Sequence, residues 1–462
     1  MSSTSSEIEC SMRMADTIQT LRVRVQELER ITAGASQADP GSNNPSGSGS
    51  LTSSPFSVRI QEPPPDLISN LVDIFLNRFT NSGYFCLDPR KFRKRALLPL
   101  PFGHLERPSP ALLSAVYLWG CVLSPITLQH PYTEEAFLIC VLQNIPQDLA
   151  AFSLNLRLVI ETIQAEVLLS YYYLHTARPI QGRYHSAAAA SLALSVGLQL
   201  LRSPQQYREL HPPFVLVQPL LPTESETTTE TERIDAFWSV VILNNYWVAA
   251  QGCPPAIPHG ITIDAPWPSS ARGGATITKF LNGNDQDGVS PAALLAKASI
   301  LVERIIAFSG RTIGRPDPPA FASLDKRLHS FKTSLPALPG SQLLLLTHAL
   351  TDVGIVRLHS PYATTSDTAR YKCLAACHRI VSGMGAVNLV DAAHNADPMF
   401  GPLCATVCSV YIDELLFLRV GEGSPQRRAQ YHEIETCLRT LINALATLAP
   451  YSPAIRTSPS LI

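Results

Sequence analysis

The sequence predicts an all-α protein with one large helical unit. Apolar residues recur at the three- and four-residue spacing of a helix face along most of the chain, and no segment alternates apolar and polar residues over the length of a strand. The 38 prolines fall mostly between these periodic segments, where they separate helices. With 462 residues and 45% hydrophobic content, the chain can bury a large core.

The helical unit is predicted over residues 65–450. Its first helix is the amphipathic segment within 66–84. The stretch 112–128 is uncharged, but it is short for a membrane span and Pro125 interrupts it, so we expect a buried core helix and no membrane contact. The helices after the first are predicted at 109–124, 134–148, 155–175, 184–201, 232–251, 292–309, 341–359, 366–385, 399–420 and 427–449.

Residues 1–32 contain a short apolar seam with coiled-coil spacing. Its members alternate spacings of four and three: Met14, Ile18, Leu21, Val25 and Leu28. In a parallel dimer, Arg24 at a g position would face Glu29 at the following e position of the partner. The seam predicts a homodimer through this helix, while a single amphipathic helix fits a seam of this length equally well.

Segments of different composition surround or interrupt the helical unit. Residues 33–64 are rich in Gly, Ser, Asn and Pro and are predicted to be a disordered tether, and 451–462 are predicted to be a tail. The acidic, Thr-rich segment 224–232 and the Gly-, Asn- and Asp-rich segment 269–290 are predicted to be loops. The second loop lacks a calcium-binding register because Leu294 stands where a bidentate Glu is required.

The segment 232–251 is apolar nearly all round, which is typical of a helix in the middle of a protein. Gly252 is the residue type tolerated just past a helix end, and Pro254 and Pro255 cannot continue the helix. An Ile-Asp-x-Pro-x-Pro sequence follows at 263–268. This segment therefore predicts a core helix with a proline-rich exit.

Two further segments lie upstream in a matching order. A Gln-Ala-x-x-Leu-Leu sequence occupies 164–169, and a helix with an alanine cluster at 187–190 leads to a Gly-Leu step at 197–198. Together with 232–268, these segments resemble the fungal-specific transcription factor domain over about residues 65–450. The residues that carry the resemblance are Gln164, Ala165, Gly197, Leu198, Arg233, Phe237, Trp238, Gly252, Pro254, Pro255, Asp264 and Pro266.

The resemblance implies a regulator of transcription in the fungal nucleus. In that family the helical domain controls activity through conformational change and through dimer or partner contacts, and its partners are coregulators or the transcription machinery. A ligand could act by binding two conformations with different affinity. A ligand pocket is predicted among the helices that bear Tyr171–Tyr173, Trp238 and Trp247, although core packing explains the same aromatic residues equally well.

The family's DNA-binding module, a six-cysteine binuclear zinc cluster, is absent from this sequence, because Cys10 is the only cysteine before Cys86. DNA binding is therefore expected only through a missing or partner module, and zinc is expected as a cofactor only if such a module belongs to the protein. The alternative is a regulator without its own DNA-binding module, acting as a partner or corepressor.

No motif of catalysis or metal binding stands out. The sequence has no GxSxG, HExxH or GxxxxGK[ST] motif, so we predict no enzyme, no catalytic residue and no cofactor-binding residue, with a helical enzyme lacking a recognisable motif as a further alternative. The CxxxC spacings could bring thiols onto one helix face, but buried free cysteines are the preferred interpretation. These metal candidates are Cys373, Cys377, His378, Cys404 and Cys408.

The formal net charge is −1, which gives no support for nonspecific nucleic-acid binding by the whole chain. One basic run stands out in PRKFRKR, at 89–95. It is a possible nuclear import signal, although a solvated helix face is the commoner explanation of such a run. Its basic residues are Arg90, Lys91, Arg93, Lys94 and Arg95.

Overall fold

A computed structural model describes ten stretches of the chain, at 62–80, 82–151, 156–203, 227–270, 276–285, 287–311, 317–338, 341–385, 396–419 and 424–456. The seam from Met14 to Leu28 and the tether up to residue 61 lie outside these described residues. Helices and short helical turns make up the regular structure of the described residues, which contain no strand. The prediction of an all-α fold is confirmed.

The described helices, in chain order, are α1 (Pro65–Phe79), α2 (Pro89–Ala96), α3 (Pro110–Leu123), α4 (Glu134–Ala150), α5 (Leu156–His175), α6 (Pro179–Ser195), α7 (Thr227–Gln251), α8 (Thr276–Leu281), α9 (Pro291–Arg311), α10 (Pro318–Ser334), α11 (Gln342–His359), α12 (Asp367–Gly385), α13 (Phe400–Arg419), α14 (Pro425–Leu448) and α15 (Pro453–Arg456). Short 3-10 turns follow α6, α11 and α14, at Leu198–Leu200, Ser360–Tyr362 and Ala449–Tyr451.

Proline marks the start of many of these helices. The first position of a helix needs no N–H donor and suits the fixed φ of proline. Side-chain oxygens just before several of these helices accept a backbone N–H of the first turn, as Ser109 does from Leu112 and Asp317 does from Ala320. Pro146 is an exception, because it lies inside α4. The helices that begin with proline are those starting at Pro65, Pro89, Pro110, Pro179, Pro291, Pro318, Pro425 and Pro453.

The core is built on α5, α7, α9 and α11, which pack against one another in that order through α5–α7, α7–α9 and α9–α11 contacts. On one side, α3 packs against α1, α4 and α5. On the other, α11 packs against α10 and α12, and α13 packs against α14. Residues 236–248 of α7 are buried without interruption, which confirms the expectation of a helix enclosed on all faces.

Several boundaries differ from the predicted ones. The composition of 224–232 predicts a loop, yet α7 begins at Thr227, because Glu230 pairs with Arg202 at 2.7 Å and Glu232 accepts the backbone N–H of Asp88 at 3.1 Å. These partners are distant in sequence, so composition alone suggests a solvated segment.

Apolar periodicity in the sequence does not predict three further helices. The short helix α8 lies within the predicted loop 269–290, and α10 buries only Leu328 and Phe331, too narrow a stripe to stand out. The charged helix α2 buries Phe92 and Ala96 on one face. At the other end of the chain, α15 buries Ile455 completely, so packed structure continues past residue 450 into the predicted tail.

The helix α13 is long and apolar enough, by length and composition, to cross a membrane, and it is the one such helix in the described part of the chain. Its residues Val407, Cys408 and Tyr411 are buried against neighbouring helices. These contacts are those of a core helix.

Candidate functional site

The twelve residues that carry the resemblance, which we call the signature residues, lie on α5, on α7 and in the segments that follow α6 and α7. Gln164 is fully buried and joins α5 to the turn before α2. Its Nε2 donates to the Tyr84 carbonyl at 2.7 Å, and its Oε1 accepts the Cys86 N–H at 2.7 Å. Both halves of the amide are therefore satisfied by backbone groups. Ala165, the next residue, is also fully buried.

The Gly-Leu step and the Asp-x-Pro loop contact each other directly. Gly197 has φ of 77°, a left-handed conformation that favours glycine, and turns the chain after α6. The Gln199 carbonyl then accepts the backbone N–H groups of Asp264, at 2.9 Å, and Ala265. The Asp264 carboxylate accepts the backbone N–H of Arg202 at 3.0 Å. Leu198 is fully buried below this contact.

Trp238 attaches the same loop to α7. Its Nε1 donates to the Pro266 carbonyl at 2.5 Å, and its ring stacks on Trp267 with 4.4 Å between centroids. Phe237 packs edge to face against Trp238 and is fully buried. Gly288 approaches the Trp267 ring so closely that a Cβ atom there would lie 2.5 Å from Cγ.

The exit of α7 follows the predicted pattern. Gly252 has φ of 65° and ends the helix, and Pro254 and Pro255 follow in irregular structure. Asn244 attaches the segment after Gly252 to α7, because its Oδ1 accepts the Ala256 N–H at 2.7 Å. Arg233, the remaining signature residue, is half-buried on the first turns of α7, and burial lowers the pKa of its guanidinium. The signature residues thus hold helices and loops together.

The aromatic residues of the predicted pocket lie in two kinds of place, the hydrophobic core and the wall of a cleft. Tyr171 and Tyr172 are buried, as is Trp238, and they pack inside the fold. Trp247 is different, because its ring lies between two clefts. Its Nε1 donates to Ser170 Oγ at 2.9 Å, which fixes the orientation of the indole.

We call the first of these the Arg357 cleft. It is about 690 Å³ in volume and lies where α5, α6, α7, α11 and α13 meet. Its wall mixes apolar groups with hydroxyl groups and carries one arginine and one aspartate among the described residues. Its main lining residues are Leu174, Thr176, Ala177, Pro179, Trp247, Gln251, Val356, Arg357, Pro402, Ala405, Thr406, Ser409, Val410 and Asp413.

We call the second the Arg183 cleft. It is about 490 Å³ in volume and lies on the other side of Trp247, between α6 and the exit of α7. Ile180 and Tyr184 stand at its edge and are 82% and 69% exposed. Burial raises the pKa of the Cys253 thiol in its wall, which favours the protonated form.

A third, smaller cavity of about 250 Å³ lies between α7, α9 and the loop after Gly252. His259 and Glu303 line it and form a close hydrogen bond through His259 Nε2. Asn245, Thr262, Thr278 and Arg304 add further polar groups to its wall. An imidazole oriented by a carboxylate can move a proton, but among the described residues no serine or cysteine lines this cavity to act as a nucleophile.

The buried carboxylate of Asp397 lies in the wall of a fourth cavity, which is about 190 Å³ in volume. Asp397 accepts hydrogen bonds from the hydroxyl groups of Tyr84 and Tyr171, at 2.9 and 3.1 Å, and from the backbone N–H of Met399. Burial raises the pKa of Asp397. Three donors satisfy this carboxylate, and the arrangement joins α5 to the turn before α13.

The candidate metal ligands lie on α12 and α13, which pack against each other. Cys373, Cys377, Cys404 and Cys408 are buried and free, and burial raises their thiol pKa values, to about 11 for Cys373. Cys404 Sγ contacts Met384 Sδ at 3.6 Å. Within the described ranges, no group of three or more His, Cys, Asp or Glu side chains has the geometry of a metal site.

The basic run forms α2, and its residues differ in their contacts. Arg93 pairs with Asp73 at 2.6 Å, and Arg95 pairs with the buried Glu161 at 2.7 Å. Arg90 and Lys94 are exposed. Arg93 and Arg95 therefore attach α2 to the fold, and periodicity could not distinguish them from their neighbours.

Arg357 and Thr406 are site residues that the sequence did not reveal. Arg357 Nη2 donates to Thr406 Oγ1 at 3.1 Å, across the contact between α11 and α13. The available signal in the sequence is an arginine near the end of a helix that is largely apolar. No family model, curated protein or solved structure matches this chain.

Proposed function

We propose that this chain is the regulatory part of a fungal nuclear transcription regulator, whose helical domain controls activity through conformational change and through dimer or partner contacts. The observation that supports the proposal most is the mutual contact of the signature residues. Trp238 bonds to Pro266, and Asp264 bonds to Gln199 beside Gly197 and Leu198. Segments that resemble the family in sequence are thus also the segments that join α7 to the turn after α6, through the loop at 263–268.

The all-α architecture is consistent with this role. A bundle of packed helices can change activity when a ligand or partner binds one arrangement more tightly than another. The clefts on both sides of Trp247 are sites where such a preference could arise, because they lie between helices that would move relative to one another.

The direct test is to attach the full chain to a heterologous DNA-binding domain in a fungal host. A reporter gene carrying the matching DNA site should change its expression relative to the DNA-binding domain alone. The matched control is the same fusion carrying Trp238→Ala, which removes the bond to Pro266 and should abolish the effect at equal protein level. Reporter output identical to the DNA-binding domain alone would contradict a regulatory role.

Nuclear import provides a second test. The chain fused to a fluorescent protein should accumulate in the nucleus, and replacing Arg90 and Lys94 by Gln should reduce the nuclear fraction. These positions avoid the pairs made by Arg93 and Arg95, so the variant should keep its thermal stability. Gln at the exposed Arg439, far along the chain on α14, is the control that should leave import unchanged.

DNA contact separates the proposal from the corepressor alternative. We expect DNA association only through a zinc-cluster module, with its own zinc, or through a partner. Chromatin immunoprecipitation of the tagged chain, with and without depletion of co-purifying zinc-cluster proteins, distinguishes these cases. Signal that disappears on depletion supports a partner or corepressor, and signal that persists supports a DNA-binding module of its own.

A helical enzyme is the second candidate, and the His259–Glu303 pair in its cavity is the observation that favours it. Thr262 and Thr278 supply hydroxyl groups, but the absence of a serine or cysteine among the described residues that line this cavity weighs against it. The test is to incubate the purified chain and its His259→Ala variant with a fungal metabolite extract and to compare them by mass spectrometry. We expect no metabolite whose level depends on His259.

A further inference from the structure

We propose that the Arg357 cleft binds a small organic monoanion, with a carboxylate or sulfonate head paired to Arg357 and an apolar body against the wall that includes Trp247. This site rests on the geometry of the cleft and would hold whether or not the chain regulates transcription.

Arg357 is held in place with most of its hydrogen-bonding capacity unused. It lies in the last turn of α11, and its hydrogen bond to Thr406 Oγ1 is the one it makes within the described residues. Thr406 in turn donates to the Pro402 carbonyl at 3.2 Å, which orients the hydroxyl toward the guanidinium. A guanidinium has five N–H donors in a fixed plane, so an oriented Arg357 can still donate two parallel bonds to an acid.

Arg357 also lacks a carboxylate partner. No Asp or Glu oxygen lies within ion-pair distance of it in the described part of the chain, whereas Arg107 pairs with Glu62 and Arg379 pairs with Asp352. Desolvation by the neighbouring helices lowers the pKa of the Arg357 guanidinium, and no opposing charge raises it. The side chain nevertheless remains exposed to solvent through the open cleft. A partly desolvated cation without a counter-charge is unfavourable, and a bound anion would relieve this cost.

The size and walls of the cleft fit a small molecule with an apolar body. Its volume of about 690 Å³ lies within the range typical of small-molecule sites, roughly 300–1,000 Å³. Leu174, Pro179, Val356 and Ala405 provide apolar surface, and the fixed indole of Trp247 provides a rigid aromatic wall. The hydroxyl groups of Thr176 and Ser409 can hydrogen-bond to one or two polar substituents of the ligand.

Asp413 limits the charge of the occupant. It lines the same cleft two helical turns beyond Thr406, which places the two residues about 10 Å apart along α13. A ligand long enough to fill the cleft would bring its far end toward this carboxylate. A second negative charge there would be repelled, so the cleft should select monoanions over dicarboxylates and phosphate esters.

The experiment uses two fluorescent probes that differ in charge. One is 8-anilinonaphthalene-1-sulfonate, an organic monoanion, and the other is the neutral N-phenyl-1-naphthylamine, which has a similar aromatic body. Both are titrated into the purified full chain and into Arg357→Gln and Arg183→Gln variants. Arg183→Gln is the matched control, because it removes a guanidinium from the neighbouring cleft across Trp247.

We expect Arg357→Gln to weaken binding of the sulfonate about tenfold or more, since it removes a charged hydrogen-bond donor pair. Binding of the neutral probe should change by less than about twofold, and Arg183→Gln should leave both probes unaffected. Asp413→Asn should tighten binding of the sulfonate and allow octanedioate to displace it. Sulfonate affinity unchanged in Arg357→Gln, or an equal loss for both probes, would overturn the proposal.

A folding defect is separated from a binding defect by thermal unfolding of each variant. Should Arg357→Gln unfold below wild type, Thr406→Val supplies the second test. It keeps the guanidinium and the side-chain volume but removes the oxygen that orients Arg357. This variant should weaken the sulfonate severalfold with the neutral probe unchanged, and an unchanged sulfonate affinity would likewise overturn the proposal.

Discussion

The indole of Trp247 lies so close to the backbone of Gly182 that a Cβ atom at position 182 would be 2.1 Å from Cζ2 of the ring. Ser170 fixes this contact, because its hydroxyl accepts the indole N–H at 2.9 Å and donates to the Gly182 carbonyl at 2.6 Å. Three helices, α5, α6 and α7, are therefore joined at one point, and that point separates the Arg357 and Arg183 clefts.

The first prediction concerns this contact. Gly182→Ala places a methyl group where the Trp247 ring lies, and the ring cannot retreat without breaking its bond to Ser170. We expect the free energy of unfolding to fall by about 1–3 kcal/mol, measured by urea denaturation. Gly310→Ala is the control, because no atom lies within 4 Å of its added Cβ. That variant should be neutral or more stable by up to about 1 kcal/mol, and equal losses in both would contradict the explanation.

The second prediction concerns Ala177, which lines the Arg357 cleft. Its φ of 56° is left-handed, where a Cβ is unfavourable by about 1–2 kcal/mol. Ala177→Gly should therefore raise the free energy of unfolding by about 1 kcal/mol. Ala187→Gly, on the exposed face of α6, should lower it by about as much, because glycine is unfavourable inside a helix. The two changes in thermal midpoint should have opposite signs.

The third prediction concerns the Gln164 side chain. Gln164→Leu keeps a buried side chain of similar size but leaves the Tyr84 carbonyl and the Cys86 N–H without partners. Each buried group that loses its partner costs about 1–3 kcal/mol, so we expect a loss of about 2–4 kcal/mol in urea denaturation. Gln181→Leu, on the exposed face of α6, should change stability by less than about 0.5 kcal/mol. A loss in Gln164→Leu no larger than in this control would contradict a structural role for the amide.

The fourth prediction concerns the pH dependence of stability. Burial, and to a lesser degree the Glu232 carboxylate, raise the pKa of Asp235 from its usual 3.8 to about 6. Between these values the folded state binds a proton that the unfolded state does not, so stability rises as pH falls through this window. Asp235→Asn should therefore be more stable than wild type at pH 7, by on the order of 1 kcal/mol after allowance for partial solvent access.

That advantage should shrink as the pH is lowered toward 4, where Asp235 is protonated in the folded protein. The measurement is the difference in urea midpoint between variant and wild type at pH 7 and at pH 4.5. A difference that stays constant over this range would mean that the ordinary pKa of Asp235 persists in the folded state.

The local signals in the sequence were enough for much of the architecture. Proline followed by an apolar stripe gives α3 and α9 within two residues of their predicted starts, and Gly252 ends α7 where predicted. These features are local, because a helix start or stop depends on the backbone and on side chains only a few residues away. The polar start of α6 and the acidic start of α7 were missed, since Gly182 and Glu230 are understood only through partners on other helices.

The candidate site was only partly accessible from the sequence. The signature residues come from the sequence alone, whereas the contacts between distant segments, such as Trp238 with Pro266, come from the structure. Trp247 was identified as a residue of a pocket, while Arg357 was not identified at all. Arg357 and Thr406 are 49 residues apart and meet only because α11 packs against α13.

The sequence by itself thus determined the all-α class and most of the helix ends, because periodicity and capping act within one helix. Only the tertiary structure decided which buried polar groups satisfy one another, and that the exposed Arg357 has no counter-charge among the described residues. The apolar face of a helix predicts that this face is buried. Which helix packs against it depends on how all the other helices pack.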